Sequence, residues 1–162
     1  MTAKMQHIAL HVADVERSAA FYEAVFGGKA RTRPVLRSGP FVERLLGGPS
    51  GIEQRGVHLS LPQGGIELIE VSFQRKAHEP EARPIWQRRV LHFCIQVDDV
   101  RAAAEKVEAA GGRLLFPVND QTGHPFVYAE DPDGHVVEMI DMTFDEAVES
   151  VHQFVPGSRP DQ

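Results

Sequence analysis

Two histidines and two glutamates carry the strongest chemical signal in the sequence. His7 opens the run HIALHV and His92 opens HFCIQV, while Glu67 and Glu138 stand inside the apolar runs IELIEV and VVEMI. Neutral imidazole and carboxylate are ligands for divalent transition metals. A carboxylate in an apolar strand is costly to bury unless it is paired or bound to a metal. Four such groups on the inward faces of a sheet would hold an ion and leave positions open for water or substrate. A lone histidine on a strand is more often structural than a ligand, so the chemistry depends on what brings the four together.

The positioning elements are duplicated. HIALHVADVERSAAFYEAVFGG (residues 7–28) and HFCIQVDDVRAAAEKVEAAGG (residues 92–112) superpose at a constant offset of 85, which places His7 on His92, Val12 on Val97, Asp14 on Asp99 and Gly27 on Gly112. Each copy begins as an alternating strand: Ile8, Leu10 and Val12 oppose His7, Ala9 and His11, and Phe93, Ile95 and Val97 oppose His92, Cys94 and Gln96. Both leading histidines therefore lie on the less apolar face. Asp14, and Asp98 or Asp99 in the second copy, are placed as helix N-caps, and Val15, Ala19, Tyr22 and Phe26 recur at helical spacing until Gly27-Gly28. Val100, Ala104 and Val107 do the same before Gly111-Gly112.

VHLSLP, the turn PQGG and IELIEV read as a hairpin in which Ile66 and Leu68 face the helices and Glu67 faces away. Glu70, on the other face, reads as a solvated charge. RLLFPV and PFVYAEDP give two further strands, and the turn formers of DPDGHVVEMID lead into a last strand that carries Glu138. Sixty residues separate His7 from Glu67 and 46 separate His92 from Glu138; the excess falls in residues 29–56, where Pro40 opens a short helix with Phe41, Val42 and Leu45 before Gly47-Gly48. That segment is a candidate lid or an ordinary connection. Trp86 lies in a charged, proline-containing linker, and the C-terminal tail holds an amphipathic turn or two before a polar end.

With 162 residues, 42% of them hydrophobic, the chain suffices for one domain with a core. A net charge of −6 and a pI near 5.7 argue against a nucleic-acid partner. The single cysteine, Cys94, excludes an intrachain disulfide and reads as a core residue rather than a nucleophile. No apolar run approaches the roughly 18 residues of a membrane span, and MTAKMQ is no signal segment, so a cytoplasmic protein is expected.

In order and setting, HIALHVADVERSAAFY, GGIELIE, LHFCIQVDDV and DPDGHVVEMID resemble the vicinal-oxygen-chelate superfamily, which includes glyoxalase I, methylmalonyl-CoA epimerase, extradiol dioxygenases and bleomycin-resistance proteins. The likeness implies a single α+β domain of two tandem βαβββ modules forming a half-open barrel around a metal site. Module one covers about residues 5–71, a linker 72–90, module two about 91–141 and the tail 142–162. The ligand positions of the glyoxalase I and epimerase branch fall on His7, Glu67, His92 and Glu138, which implies a divalent ion: Ni, Co, Zn, Mn or Fe. The branch further implies a lyase or isomerase that abstracts the proton beside a metal-polarised carbonyl through an enediolate, with Glu138 and Glu67 as the resident carboxylates; Glu138, after a tight turn at the mouth end of its strand, is the expected base. The expected substrate is a glutathione hemithioacetal or a thioester, and the expected assembly is a homodimer.

Two rivals stand beside this reading. An Fe(II) extradiol-type dioxygenase binds its ion with two histidines and one carboxylate, and Glu67 as a fourth ligand argues against it. A non-catalytic, resistance-type binding protein has no need of a ligand at all four positions. His11 is a candidate second donor or a barrel histidine, His124 a loop residue near the pocket, and His135 has no assigned role. Arg37, Arg44, Arg55, Arg88 and Arg89 are candidate partners for substrate carboxylates or phosphates.

Overall fold

In the computed structural model, residues 6–62, 64–74, 76–77, 90–120 and 123–154 are described. Trp86, Arg88, Arg89, most of the expected linker and the end of the tail lie outside them. The elements run β1 (His7–Val12), α1 (Val15–Phe26), β2 (Lys29–Ala30), β3 (Val35–Ser38), α2 (Pro40–Leu46), β4 (Ile52–Leu61), β5 (Gly64–Phe73), β6 (Lys76–Ala77), β7 (Phe93–Gln96), α3 (Val100–Ala109), β8 (Arg113–Leu114), β9 (Phe126–Glu130), β10 (Val136–Ile140) and α4 (Phe144–Phe154). They form an α+β fold with two sheets. One has the order β1-β5-β4-β2, with β3 also on β4 and β6 also on β5; the other has the order β7-β10-β9-β8. In each, one pair is parallel, β1 with β5 and β7 with β10, and the remaining pairs are antiparallel. The duplication seen in the sequence is thus a duplication of βαβββ topology, and the two sheets are not joined into a closed barrel.

Local chemistry accounts for the helix ends. The Asp14 carboxylate accepts from the Arg17 N–H at 2.9 Å and the Asp99 carboxylate from the Ala102 N–H at 2.9 Å, so each helix starts on a side-chain cap. Gly27 ends α1 at φ +67, in the left-handed region where a side chain costs energy, and its N–H returns to the Glu23 carbonyl. Val15, Ser18, Phe21, Tyr22 and Val25 form the buried stripe of α1, and Val100, Ala103, Ala104 and Val107 that of α3. Both stripes meet Leu10, Val12, Val57, Leu59, Ile66, Leu68, Val127 and Met139 in one continuous core. Each fully buried aliphatic side chain there contributes about 1.5–3 kcal/mol.

The modules are stitched by the DPDG turn. Asp133, whose side chain is 1% exposed, accepts from the Ala13 N–H at 2.8 Å, from the Ser18 hydroxyl and from the Arg17 guanidinium, all at the start of α1. Asp131 accepts the Tyr22 hydroxyl at 2.8 Å and the N–H groups of Asp133 and His135 at 2.9 and 2.8 Å. His135 donates from Nε2 to the His11 carbonyl at 2.7 Å. Burial and then the charge of Asp131 push the Tyr22 phenol well above its ordinary value; burial likewise raises Asp131. Gly112 completes the contact: a Cβ there would stand 2.6 Å from the Glu130 carbonyl oxygen and 2.7 Å from the Phe21 ring.

Several elements differ from the sequence expectation. Residues 29–56 carry two strands as well as the short helix, and β3 hydrogen-bonds along β4, so much of the candidate lid is sheet. β4 begins at Ile52 rather than Val57, β5 continues to Phe73 beyond the expected end of module one, and the tail forms an eleven-residue helix, α4. Among the described residues no helix is long and apolar enough to cross a membrane.

Candidate metal centre

Strand register sets the site. Glu67 on β5 is paired with Ala9 on β1 and with His58 on β4, so the three project from the same face of the sheet, and His7 shares that face two residues before Ala9. The opposite face of β5 presents Ile66 and Leu68 to the core, as the alternation predicts. His7 Nε2 stands 3.5 Å from Glu67 Oε2, and His58 Nε2 stands 3.4 Å from Oε1. The carboxylate is 15% exposed.

Module two repeats the arrangement. Glu138 on β10 is paired with Cys94 on β7 and Tyr128 on β9, and His92 precedes Cys94 by two residues. His92 Nε2 lies 3.0 Å from Glu138 Oε2, and its ring lies 4.8 Å from that of Tyr128. Cys94 is exposed rather than a core residue, because its strand alternation turns it toward Glu138. Burial of the thiol and the charge of Glu138 push it up to about 12, so it remains a protonated thiol. Burial and then Glu138 raise the Tyr128 phenol as well.

The fold therefore brings His7 to Glu67 and His92 to Glu138, one pair per module. It does not gather three or more of these residues into a group whose ligand atoms all lie within 4.8 Å of one another. The first strands of the two modules, with residues such as His7, Ile8, Phe93 and Cys94, instead line a cavity of about 850 Å³. The donor set fits a divalent ion: imidazole nitrogens and carboxylate oxygens about 2.1 Å from a six-coordinate ion stand roughly 3 Å apart when adjacent, near the separation within each pair. A site using all four needs the two halves to approach each other, within one chain or between two.

The tight acidic group among the described residues lies elsewhere. Asp14, Glu16 and Glu70 gather at the start of α1, where Arg55 bridges Glu16, at 2.6 Å through Nη1, and Glu70, at 3.6 Å. Glu70 also accepts the Val15 N–H at 3.3 Å, so this residue, expected to be solvated, is a structural acceptor. Arg55 is committed to these carboxylates, chiefly through the Glu16 hydrogen bond, which raises it further. His124 stands 3.3 Å from Asp141. Reading single residues missed His58 and Tyr128; the signal that finds them is register, because each sits directly across from the module's site glutamate.

Comparison with known proteins follows the same lines. Residues 4–139 match the model of a family described as the Glyoxalase/Bleomycin resistance protein/Dioxygenase superfamily. The lactoylglutathione lyase of Schizosaccharomyces pombe is 27% identical over 146 residues, which cover 86% of this chain and 47% of the relative, so the chain spans about half of that protein's length. An ethylmalonyl-CoA/methylmalonyl-CoA epimerase of Cereibacter sphaeroides is 27% identical over 149 residues, 86% of this chain and 98% of the relative. A glyoxalase family protein of Bacillus cereus shares the fold with a TM-score of 0.73 at 14% identity, covering 86% of this chain and 94% of the other. A fosfomycin resistance protein of Listeria monocytogenes, complexed with Mn(II) and sulfate, aligns with a TM-score of 0.59 at 18% identity over 91% of this chain and 99% of the other.

Proposed function

Because the chain belongs to the glyoxalase/bleomycin resistance protein/dioxygenase superfamily, we propose that it is a metal-dependent lyase or isomerase of glyoxalase I or methylmalonyl-CoA epimerase type. The observation that carries this reading is the pairing of one histidine with one glutamate at equivalent places in each module, His7 with Glu67 and His92 with Glu138. These four would hold one divalent ion: Ni, Co, Zn, Mn or Fe. When bound, the ion supplies a Lewis acid that stabilises the negative charge developing on a substrate carbonyl oxygen. The substrate is a small molecule with an acidic C–H beside that carbonyl, a glutathione hemithioacetal or an acyl thioester. The names of the lyase and epimerase relatives support these two classes.

The chain's own part is to hold the substrate and move the proton. Glu67 lies between two imidazoles, one near each oxygen. Glu138 meets one imidazole, the thiol of Cys94 and the neighbourhood of Tyr128, on a strand that follows a tight turn. Glu138 is therefore the carboxylate freer to swing toward substrate and take the proton, and Glu67 the fixed ligand. Its conjugate acid then returns the proton to the neighbouring carbon for an isomerisation; for an epimerisation the same carbon must be protonated on its opposite face, a task for a second acid on that side, Glu67 being the other resident carboxylate. We place the closed site in a homodimer, since β1 and β7 are edge strands among the described residues and an edge strand can pair with a second chain.

Exchange of the substrate α-proton in deuterated solvent tests the assignment, with a glutathione hemithioacetal and methylmalonyl-CoA as the two substrates. Glu138→Gln is expected to retain metal and lose exchange by about 10²-fold or more. Wild-type exchange in Glu138→Gln with none in Glu67→Gln reverses the two roles.

A further inference from the structure

His58 stands at the candidate centre, yet neither the repeat nor the ligand pattern assigns it. It stands across the ladder from Glu67, and the same step in module two leads from Glu138 to Tyr128. The two modules thus place a ring with a polar hydrogen at equivalent positions beside each site carboxylate, but only the ring of module one is an imidazole. Its Nε2 is 3.4 Å from Glu67 Oε1, while His7 Nε2 is 3.5 Å from Oε2. The two imidazoles meet edge to face, 6.4 Å between centroids at 73°. The His58 backbone is itself fixed, its N–H donating to Thr32 Oγ1 at 3.1 Å and its carbonyl accepting from the Arg31 N–H at 2.8 Å.

We propose that His58 is a positioning residue that engages one oxygen of Glu67 and so presents the other, on the His7 side, as a single-oxygen metal ligand. A glutamate has three side-chain torsions. Strand β5 fixes only the first atoms of this one, and an N–H directed at Oε1 from 3.4 Å would restrict rotation of the carboxylate and its two-oxygen mode of ligation. Partners of this kind outside the ligand set alter metal affinity by about 10–100-fold when removed. The inference rests on the proposed four-residue metal site.

The test uses the full chain and Co(II) alone as probe. Affinity is read by competition with a chromophoric chelator, the ligand field by the visible Co(II) absorption, and folding by circular dichroism. His58→Leu is expected to weaken Co(II) binding about 10–100-fold and to change the absorption spectrum, whereas His58→Gln, which keeps an N–H donor, restores most of both. Wild-type affinity and spectrum in His58→Leu overturn the proposal. Equal loss in His58→Gln and His58→Leu, both folded, also overturns it, because His58 would then be a ligand. Should His58→Leu fail to fold, His58→Gln decides: near-wild-type affinity with a small spectral change supports the proposal, and loss of binding overturns it. If the wild type itself takes up no Co(II), the metal reading falls and this inference with it, an outcome distinct from the others.

Discussion

Replacing Asp133 with alanine is the sharpest test of how the two modules hold each other. The carboxylate is 1% exposed and takes three donors from the start of α1: the Ala13 N–H, the Ser18 hydroxyl and the Arg17 guanidinium. A hydrogen bond to a charged acceptor contributes about 1.5–3 kcal/mol, and a buried donor left without a partner costs its full desolvation. The Ala13 N–H loses its partner outright. Ser18 is fully buried, but its hydroxyl can turn back onto a helical carbonyl, which recovers part of the loss. Arg17 is 47% exposed and adds about 1 kcal/mol at most. Relief from burying the charge offsets some of this, for a net loss of about 3 kcal/mol. With a urea slope of about 2 kcal/mol/M, the unfolding midpoint falls by about 1.5 M. Asp133→Asn, which keeps one acceptor oxygen and the shape, falls by about half as much, and Arg17→Ala by less than either. A shift below about 0.3 M in Asp133→Ala would refute the seating of the DPDG turn on α1.

Three further outcomes follow from the same contacts. Tyr22 has its folded-state pKa raised above 10, so the stability its neutral phenol carries is complete below pH 10 and is lost as pH rises toward the folded value. Tyr22→Phe should therefore cost about 1–2 kcal/mol near pH 7 through the lost Asp131 bond, with the gap to wild type narrowing above pH 10; urea midpoints across pH check this, and a constant gap contradicts it. Gly112→Ala forces a methyl group against the Glu130 carbonyl and the Phe21 ring and should destabilise the chain by about 1–3 kcal/mol, read as a lower melting temperature, while an unchanged melting temperature removes the close contact of module two on Phe21. Sedimentation equilibrium at micromolar concentration should give twice the 18.0 kDa of one chain, and a monomer mass contradicts the proposed dimer.

What the sequence made legible is local. The strand of His7–Val12, the caps at Asp14 and Asp99, the stop at Gly27 and the outward turn of Glu67 between Ile66 and Leu68 each follow from a period or a cap within a few residues. The family was legible as a resemblance, carried by the order and setting of HIALHVADVERSAAFY, GGIELIE, LHFCIQVDDV and DPDGHVVEMID. What stayed hidden depends on pairing at a distance. β3 and the first half of β4 read as irregular because VLRS and GIEQRG are short and polar, the latter with a glycine at each end, yet the two pair with each other in register. The contacts of Asp133 with α1 and of His135 with the His11 carbonyl cross more than a hundred residues and leave no period to find. DPDG was readable as a turn, not as the tie between modules. His58 lies in an alternating strand like any other, and only the register against β5 shows which residue it faces. Cys94 looked like core because its neighbours are apolar, although the same alternation puts it on the face of His92.

The central claim is that His7, Glu67, His92 and Glu138 act as one site although each half is built on its own module. Its most direct test is elemental analysis of the purified chain, after exposure to Ni, Co, Mn or Zn and removal of loose ions, for the wild type, His7→Ala and His92→Ala. One site predicts about one divalent ion per chain in the wild type and a large loss of that ion in each variant, because neither half alone offers enough ligands. No ion in the wild type, or two ions of which each variant loses only one, would contradict it.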